Sequence, residues 1–324
     1  MMFGRRHLTT WMCLLVALLV WPAPTTADHG NAATVFTGSF PHFSPVFVAD
    51  AKGLFKKHGL SVAVRVFDTG VGAAAAFRGG RADYQAGCDF ATINLLQTED
   101  IIVLAPYEHD SDSIIISVRE GIKDLRDLKG RKVGLRRGTT SEFFTLRALK
   151  DVGLGLKDID VVNLFAADQL PAIVRGDIDA ASWWQPFGWQ AEAASSGKVR
   201  TLVTARGYYT LWCSLVAQRK YVEAHPKETV AFLKALHDAS EWLTRVSLDE
   251  KAALVTQYTK SDLTTTRQVM SLQTYSIVET PEYRKSMRDM EEFMRAGGLV
   301  KKPIQWENVL GSRYLREVDS SLVK

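Results

Sequence analysis

Short apolar runs alternate with longer stretches whose apolar residues recur at helical spacing. The runs at 34–38, 62–67, 83–86, 101–105, 113–118, 133–135, 159–164, 180–183, 200–204 and 211–217 read as strands. Between them, 45–58 (ended by Gly59), 73–78, 90–97, 141–152, 168–175 and 186–194 read as helices. Val46, Phe47, Ala49, Leu54 and Phe55 supply the apolar face of the first. After residue 217 the pattern is almost entirely helical, over 227–246, 248–258, 263–278, 281–296 and 308–318. A βαβα rhythm predicts the α/β class, with parallel strands and helices on both faces. Two such units of about 90 residues fit, each of ordinary domain size, followed by a helical tail expected to pack on the first. The predicted division is lobe one at 28–116 plus 212–324, and lobe two at 117–211. The segments 113–118 and 211–217 are the expected crossings between them. Two crossings beside a cleft make a hinge, and ligands of open α/β sheets sit beyond the carboxyl ends of the strands.

The first residues carry a different pattern. Arg5 and Arg6 precede an apolar run from Trp11 to Trp21, and small residues follow up to Ala27. These are the parts of a secretory signal peptide, residues 1–27, with cleavage expected after Ala27. The apolar run is shorter than the roughly 20 residues that span a bilayer. The arginine pair is compatible with general or twin-arginine export. Removing the leader takes away two arginines and no acid, so the formal charge falls from +4 to +2. Nothing in that balance suggests nucleic-acid binding. Cys88 and Cys213 remain, either as a disulfide of an exported protein or as two buried thiols. The histidines show no paired ligand spacing and no CxxC or HExxH occurs, so no metal centre and no cofactor is expected.

Candidate binding residues cluster in strand-to-helix loops. Arg136-Arg137-Gly138-Thr139-Thr140-Ser141 offers hydroxyls and backbone N–H groups at a helix start, which favour an anion; plain capping by Thr139 or Thr140 explains the same residues. Ser39-Phe40-Pro41-His42-Phe43 follows the first strand, where Phe40 or His42 either meets a ligand or plugs the sheet end. Thr69-Gly70-Val71-Gly72 offers further N–H groups, or is an ordinary glycine turn. Gly87-Cys88-Asp89 is the third such loop. Asp89 either points into the cleft, where it suits an amine, or caps the helix from Phe90. Glu108, Asp110, Asp112 and Glu142 are expected near the same mouth. Of Trp183 and Trp184, alternation sends one into the core. Trp212 closes the back of the site or packs the hinge. No GxSxG occurs.

Several stretches, in this order, carry a resemblance. They are Phe47-Val48-Ala49-Asp50-Ala51-Lys52-Gly53-Leu54-Phe55-Lys56-Lys57-His58-Gly59-Leu60, Phe67-Asp68-Thr69-Gly70 with Gly79-Gly80-Arg81-Ala82-Asp83, Leu125 to Gly134, Gly176 to Ala180 with Trp184 and Pro186, and Tyr221 to Pro226. Over about residues 34–240 the chain resembles the periplasmic substrate-binding proteins of ABC importers, in the taurine/alkanesulfonate/nitrate (NMT1/THI5-like) group. The resemblance implies a two-lobed periplasmic-binding-protein fold of type II. It also implies a monomer that delivers a small-molecule ligand to a membrane permease driven by an ATPase. It implies ligand contact at the loop 136–141 and makes Trp184 the better cleft candidate. Where family members with anionic ligands carry small hydroxyl residues, this chain has Cys88 and Asp89, a departure that favours an amine or a thiamine-precursor pyrimidine. The same fold occurs in pyrimidine-synthesising enzymes with a cysteine-rich motif; no such run is present here. A ligand-sensing partner of a membrane receptor is a third reading.

Overall fold

The computed structural model describes residues 32–324; the expected leader and its cleavage point lie outside the described residues. The strands are β1 (Ala32–Gly38), β2 (Ser61–Phe67), β3 (Tyr84–Cys88), β4 (Ile101–Asp110), β5 (Ile114–Arg119), β6 (Lys132–Leu135), β7 (Asp160–Asn163), β8 (Ala180–Trp184), β9 (Val199–Thr204), β10 (Leu211–Gln218) and β11 (Thr274–Tyr275). They form a six-stranded sheet in the order β11-β4-β10-β3-β1-β2 and a five-stranded sheet in the order β7-β6-β8-β5-β9. The α/β class and the two-sheet plan therefore match the pattern in the sequence.

Neither sheet is wholly parallel. β1 runs parallel to β2 and β3, but β10 is antiparallel to both β3 and β4. Likewise β5 is antiparallel to β8 and β9. Each of these strands enters its sheet directly from the other sheet, without the helical crossover that a parallel connection needs. The segments expected as crossings are thus strands in their own right. The chain passes between sheets at 111–113 and again at 205–210.

The near-continuous apolar runs of β4 and β10 belong to central strands covered on both faces. Helix Pro226–Arg245 covers one face of the six-stranded sheet. It buries Thr229, Phe232, Leu233, Leu236, Ala239 and Leu243, a helical stripe, with Phe232 stacked 4.2 Å from Tyr84 and tilted against Phe55 at 4.8 Å. In the tail, helix Pro281–Ala296 lays Tyr283, Met287, Met290 and Met294 inward. Its Tyr283 meets Trp212 edge-on, and its Phe293 meets Phe143.

Three expected helices differ. The one over 45–58 is two, Ser44–Ala51 and Leu54–Lys57, because Gly53 sits between them at φ 64, a left-handed value that glycine adopts without strain. The one over 263–278 ends at Met270, and the chain then extends into β11 against β4. The one over 308–318 is broken into Trp306–Val309 and Ser312–Val318, with Leu310 bridging to Val103. In the last two, pairing with β4 overrides local helical pattern.

Candidate functional site

The loops that leave β1, β2, β3, β6 and β8 converge on one cavity between the two sheets, with about 700 Å³ of empty space partly open to solvent. Phe40, His42 and Phe43 come from the first loop, Thr69, Gly70 and Val71 from the second, and Cys88, Phe90 and Ala91 from the third. Gly138, Thr139 and Thr140 face them from the loop after β6, and Trp184 from the end of β8. Ile114 and Leu211, the first residues after the two crossings, complete the wall. The wall is thus largely apolar and aromatic, with hydroxyls at two helix starts and, among the described residues, no lysine, arginine, aspartate or glutamate.

Close packing sets the first two loops. A Cβ on Gly38 would come within 2.6 Å of both Gly70 N and the Phe43 ring, and one on Gly70 within 3.0 Å of that ring. The glycines let Phe43 lie flat against backbone. Ser39 is buried and donates to Asp68 O (3.1 Å), tying the two loops together rather than facing the cavity. Phe40 meets Trp184 edge-on at 6.2 Å, an aromatic contact between elements of the two sheets.

The helix starts differ in how they are capped. Thr69 Oγ1 accepts from Gly72 N (3.0 Å), so helix Gly70–Phe77 is side-chain capped. Thr139 occupies the N-cap of helix Thr140–Asp151, but its hydroxyl donates to Arg136 O (2.7 Å) and contacts Ser141 Oγ (3.0 Å). No side chain caps that helix; Glu142 N and Phe143 N donate to Thr139 O (3.1 and 3.4 Å), while among the described residues the N–H groups of Thr140 and Ser141 have no partner. Glu142 accepts from Gly138 N (2.8 Å) and pairs with Arg137, which fixes the loop from behind.

Of the residues expected at the site, Phe40, His42, Thr69, Gly70, Cys88, Thr139, Thr140 and Trp184 line the cavity; Ser39, Asp89, Ser141 and Trp183 do not. Ser141 is buried beneath the helix start. Trp183 is fully buried and donates Nε1–H to Ser117 Oγ (2.9 Å). Trp212 does not line the cavity but stacks on His109 at 4.3 Å. Asp112 pairs with Arg206, away from the wall. Cys88 and Cys213, which face each other across β3 and β10, form a disulfide. Phe90, Ala91, Ile114 and Leu211 were not expected. The last two carry a usable signal, since each directly follows a crossing.

Asp89 is the main correction. It is the first residue of helix Asp89–Leu96 rather than its cap, and it is buried. Its Oδ1 accepts from Phe90 N (2.7 Å) and from the Thr140 hydroxyl (3.3 Å), and its Oδ2 accepts from Trp212 N (3.3 Å). Burial pushes its carboxyl up to about 7, against those three hydrogen bonds and helped by nearby Asp110. A raised folded-state value means the folded protein holds the proton more tightly than the unfolded chain. Stability from this group is therefore greatest near pH 4, falls as pH rises to about 7 and is level above that, a change of up to about 4 kcal/mol. Asp89→Asn keeps Oδ1 but loses the acceptor for Trp212 N. We expect a variant less stable than the parent near pH 4 by about 1–3 kcal/mol, with a flatter fall between pH 4 and 7 that closes or reverses the difference at pH 7, read by urea unfolding at each pH. An unchanged slope would show that Asp89 does not titrate in that window.

A family model described as NMT1/THI5 like matches residues 40–245. The taurine-binding periplasmic protein of Escherichia coli is 29% identical over 230 residues, covering 66% of this chain and 68% of that protein. The 4-amino-5-hydroxymethyl-2-methylpyrimidine phosphate synthase of Schizosaccharomyces pombe is 22% identical over 218 residues, 62% of this chain and 61% of that enzyme. The crystal structure of the periplasmic aliphatic sulphonate binding protein of Escherichia coli aligns with a TM-score of 0.74 at 22% identity, over 86% of this chain and 91% of that one, and shows the shared fold. Among the described residues, no helix is long and apolar enough to cross a membrane.

Proposed function

The chain belongs to the NMT1/THI5-like family, and from that premise we propose that it is the exported solute-binding component of an ABC uptake system. It acts as a periplasmic monomer without catalytic chemistry, capturing a small organic sulfonate of the taurine or alkanesulfonate kind. The six-stranded sheet serves as lobe one and the five-stranded sheet as lobe two, divided at 111–113 and 205–210 rather than at the expected 116/117 and 211/212, since all of Ile114–Arg119 lies in the second sheet and all of Leu211–Gln218 in the first. Ligand lies between them, and a membrane permease with its ATPase reads the closed form. The taurine-binding relative supports the ligand class.

One observation carries the reading: helix Thr140–Asp151 opens onto an apolar wall with its N-cap hydroxyl turned away. The N–H groups of Thr140 and Ser141 and the positive end of the helix dipole are left for an oxyanion. Phe40, Ile114 and Trp184 suit the carbon body beside it. The amine and pyrimidine reading rested on Asp89 reaching the ligand, and that carboxyl is occupied elsewhere.

The test is a thermal-shift and calorimetric comparison of taurine, hexanesulfonate, nitrate and aminopyrimidines on the chain from Asp28 onward. Ligand at 100 times its Kd adds about 2.7 kcal/mol. Hexanesulfonate is expected to raise Tm and aminopyrimidines are not. Thr140 is the first helical residue, where proline is tolerated while its N–H is removed. Thr140→Pro is therefore expected to bind sulfonate about tenfold or more weakly than Thr140→Ala, the value of a hydrogen bond to a charged group. A response to aminopyrimidines alone would overturn the ligand assignment.

A further inference from the structure

Beneath the cavity lies a group the transport reading does not use. His42 from the first loop meets Glu108 and Asp110 from the end of β4, all three buried, with one donor atom of each within 4.8 Å of the others. His42 Nε2 is 3.4 Å from Asp110 Oδ2. Neither carboxylate oxygen of Glu108 has a hydrogen-bond partner, and the side chain is completely buried. Among the described residues no lysine or arginine forms an ion pair with Glu108 or Asp110. A further acid, Asp89, also acts on Glu108.

We propose that His42, Glu108 and Asp110 form a binding site for one divalent first-row transition cation, opening toward the ligand cavity through His42. This goes beyond solute binding and does not depend on which solute is bound. An unpaired buried carboxylate is costly, so Glu108 needs either a proton or a cation beside an Asp110 that His42 and Ser113 already meet. Burial, and then Asp110, push the Glu108 carboxyl well above its ordinary range, so a shared proton is the competing state. The donor geometry favours the cation. Two ligands at about 2.0–2.1 Å from a tetrahedral zinc ion stand about 3.3 Å apart, close to the His42–Asp110 separation. One imidazole and two carboxylates are donors that zinc accepts, and their two negative charges match its own. Asp110 is also held as a metal-binding carboxylate is held. Its Oδ1 accepts from the N–H groups of Asp112 (3.0 Å) and Ser113 (2.8 Å), and its Oδ2 from the Ser113 hydroxyl (2.7 Å). His42 lines the cavity, so a bound ion has a route in and a face left open to an oxyanion.

The test is zinc titration of the chelator-stripped protein with no organic ligand present, followed by elemental analysis after desalting. One Zn²⁺ per chain is expected. Glu108→Gln keeps the side-chain volume and imitates the protonated acid. It is expected to retain the metal-free Tm while losing zinc affinity more than about tenfold. His42→Ala is expected to lose zinc as well, whereas His225→Ala, at an exposed histidine, retains it. Absence of stoichiometric zinc, or equal zinc binding in Glu108→Gln, would overturn the site and leave the shared proton as its neutralising partner. Sulfonate binding is measured separately, so failure here is distinct from failure of the solute reading.

Discussion

Replacing Cys88 and Cys213 together by alanine is expected to lower stability by about 3–5 kcal/mol. The bridge links residues 125 apart, and the enclosed chain contains every strand of the five-stranded sheet. Loop-closure entropy in the unfolded chain grows slowly with loop length, so a loop this long lies near the upper end of what one disulfide contributes. The bridge also joins two neighbouring strands, β3 and β10, at residues that pair directly in register. On a chain of this size the loss corresponds to a fall in Tm of roughly 6–12 °C. Calorimetry on the oxidised parent, the reduced parent and the double variant checks it. Reduction and double substitution are expected to agree to within about 1 kcal/mol, since alanine fills most of the space of a small apolar thiol. A loss below about 1 kcal/mol in both would show that the unfolded chain is already compact enough to make the bridge redundant.

The two adjacent tryptophans are expected to fail in opposite ways. Trp183→Ala removes a fully buried indole and strands the Ser117 hydroxyl to which it donates. The expected cost is about 3–5 kcal/mol of stability. In the protein that remains folded, affinity is expected to change little. Trp184 is only partly buried, meets Phe40 edge-on and lines the cavity. Trp184→Ala is expected to cost about 30-fold or more in ligand affinity, as for a buried aromatic anchor, with a smaller effect on folding. Urea unfolding and calorimetric titration of each variant give four numbers, and the cross-over between them is the prediction. Were Trp183→Ala the variant that abolished binding at unchanged stability, the strand faces would be assigned the wrong way round.

Strand order along the chain is legible because buried strands are short apolar runs punctuated by turn residues, and every expected strand is present. The differences in extent, and the added β11, follow from pairing. β4 was read as 101–105 because Glu108, His109 and Asp110 look like loop; hydrogen bonding to β10 on one side and β11 on the other extends it to Asp110. The same pairing turns the stretch after Met270 into a strand. Much of the cavity wall could be located, since strand-to-helix loops at the carboxyl ends of strands recur as binding positions. Side-chain direction could not. Asp89 turns from the cavity because Trp212 N–H arrives from a strand more than a hundred residues later, and no local pattern encodes that meeting. The His42, Glu108 and Asp110 cluster is legible only in part: the sequence places all three near one cavity mouth, but their contact depends on a loop and a distant strand meeting, which no local pattern encodes.

The position of β10 has a consequence for synthesis. It sits between β3 and β4, yet it is made after the whole five-stranded sheet. As the chain leaves the ribosome, β1, β2, β3 and β4 emerge long before the strand that joins them. The inner unit has all its strands first and can fold as a contiguous piece. The outer one waits with β3 and β4 unpaired along the edges that β10 will fill, and such edges invite pairing with other chains. A nascent chain in this interval is a natural client for a holdase, and its exposure ends only when Leu211–Gln218 slots between the two waiting strands.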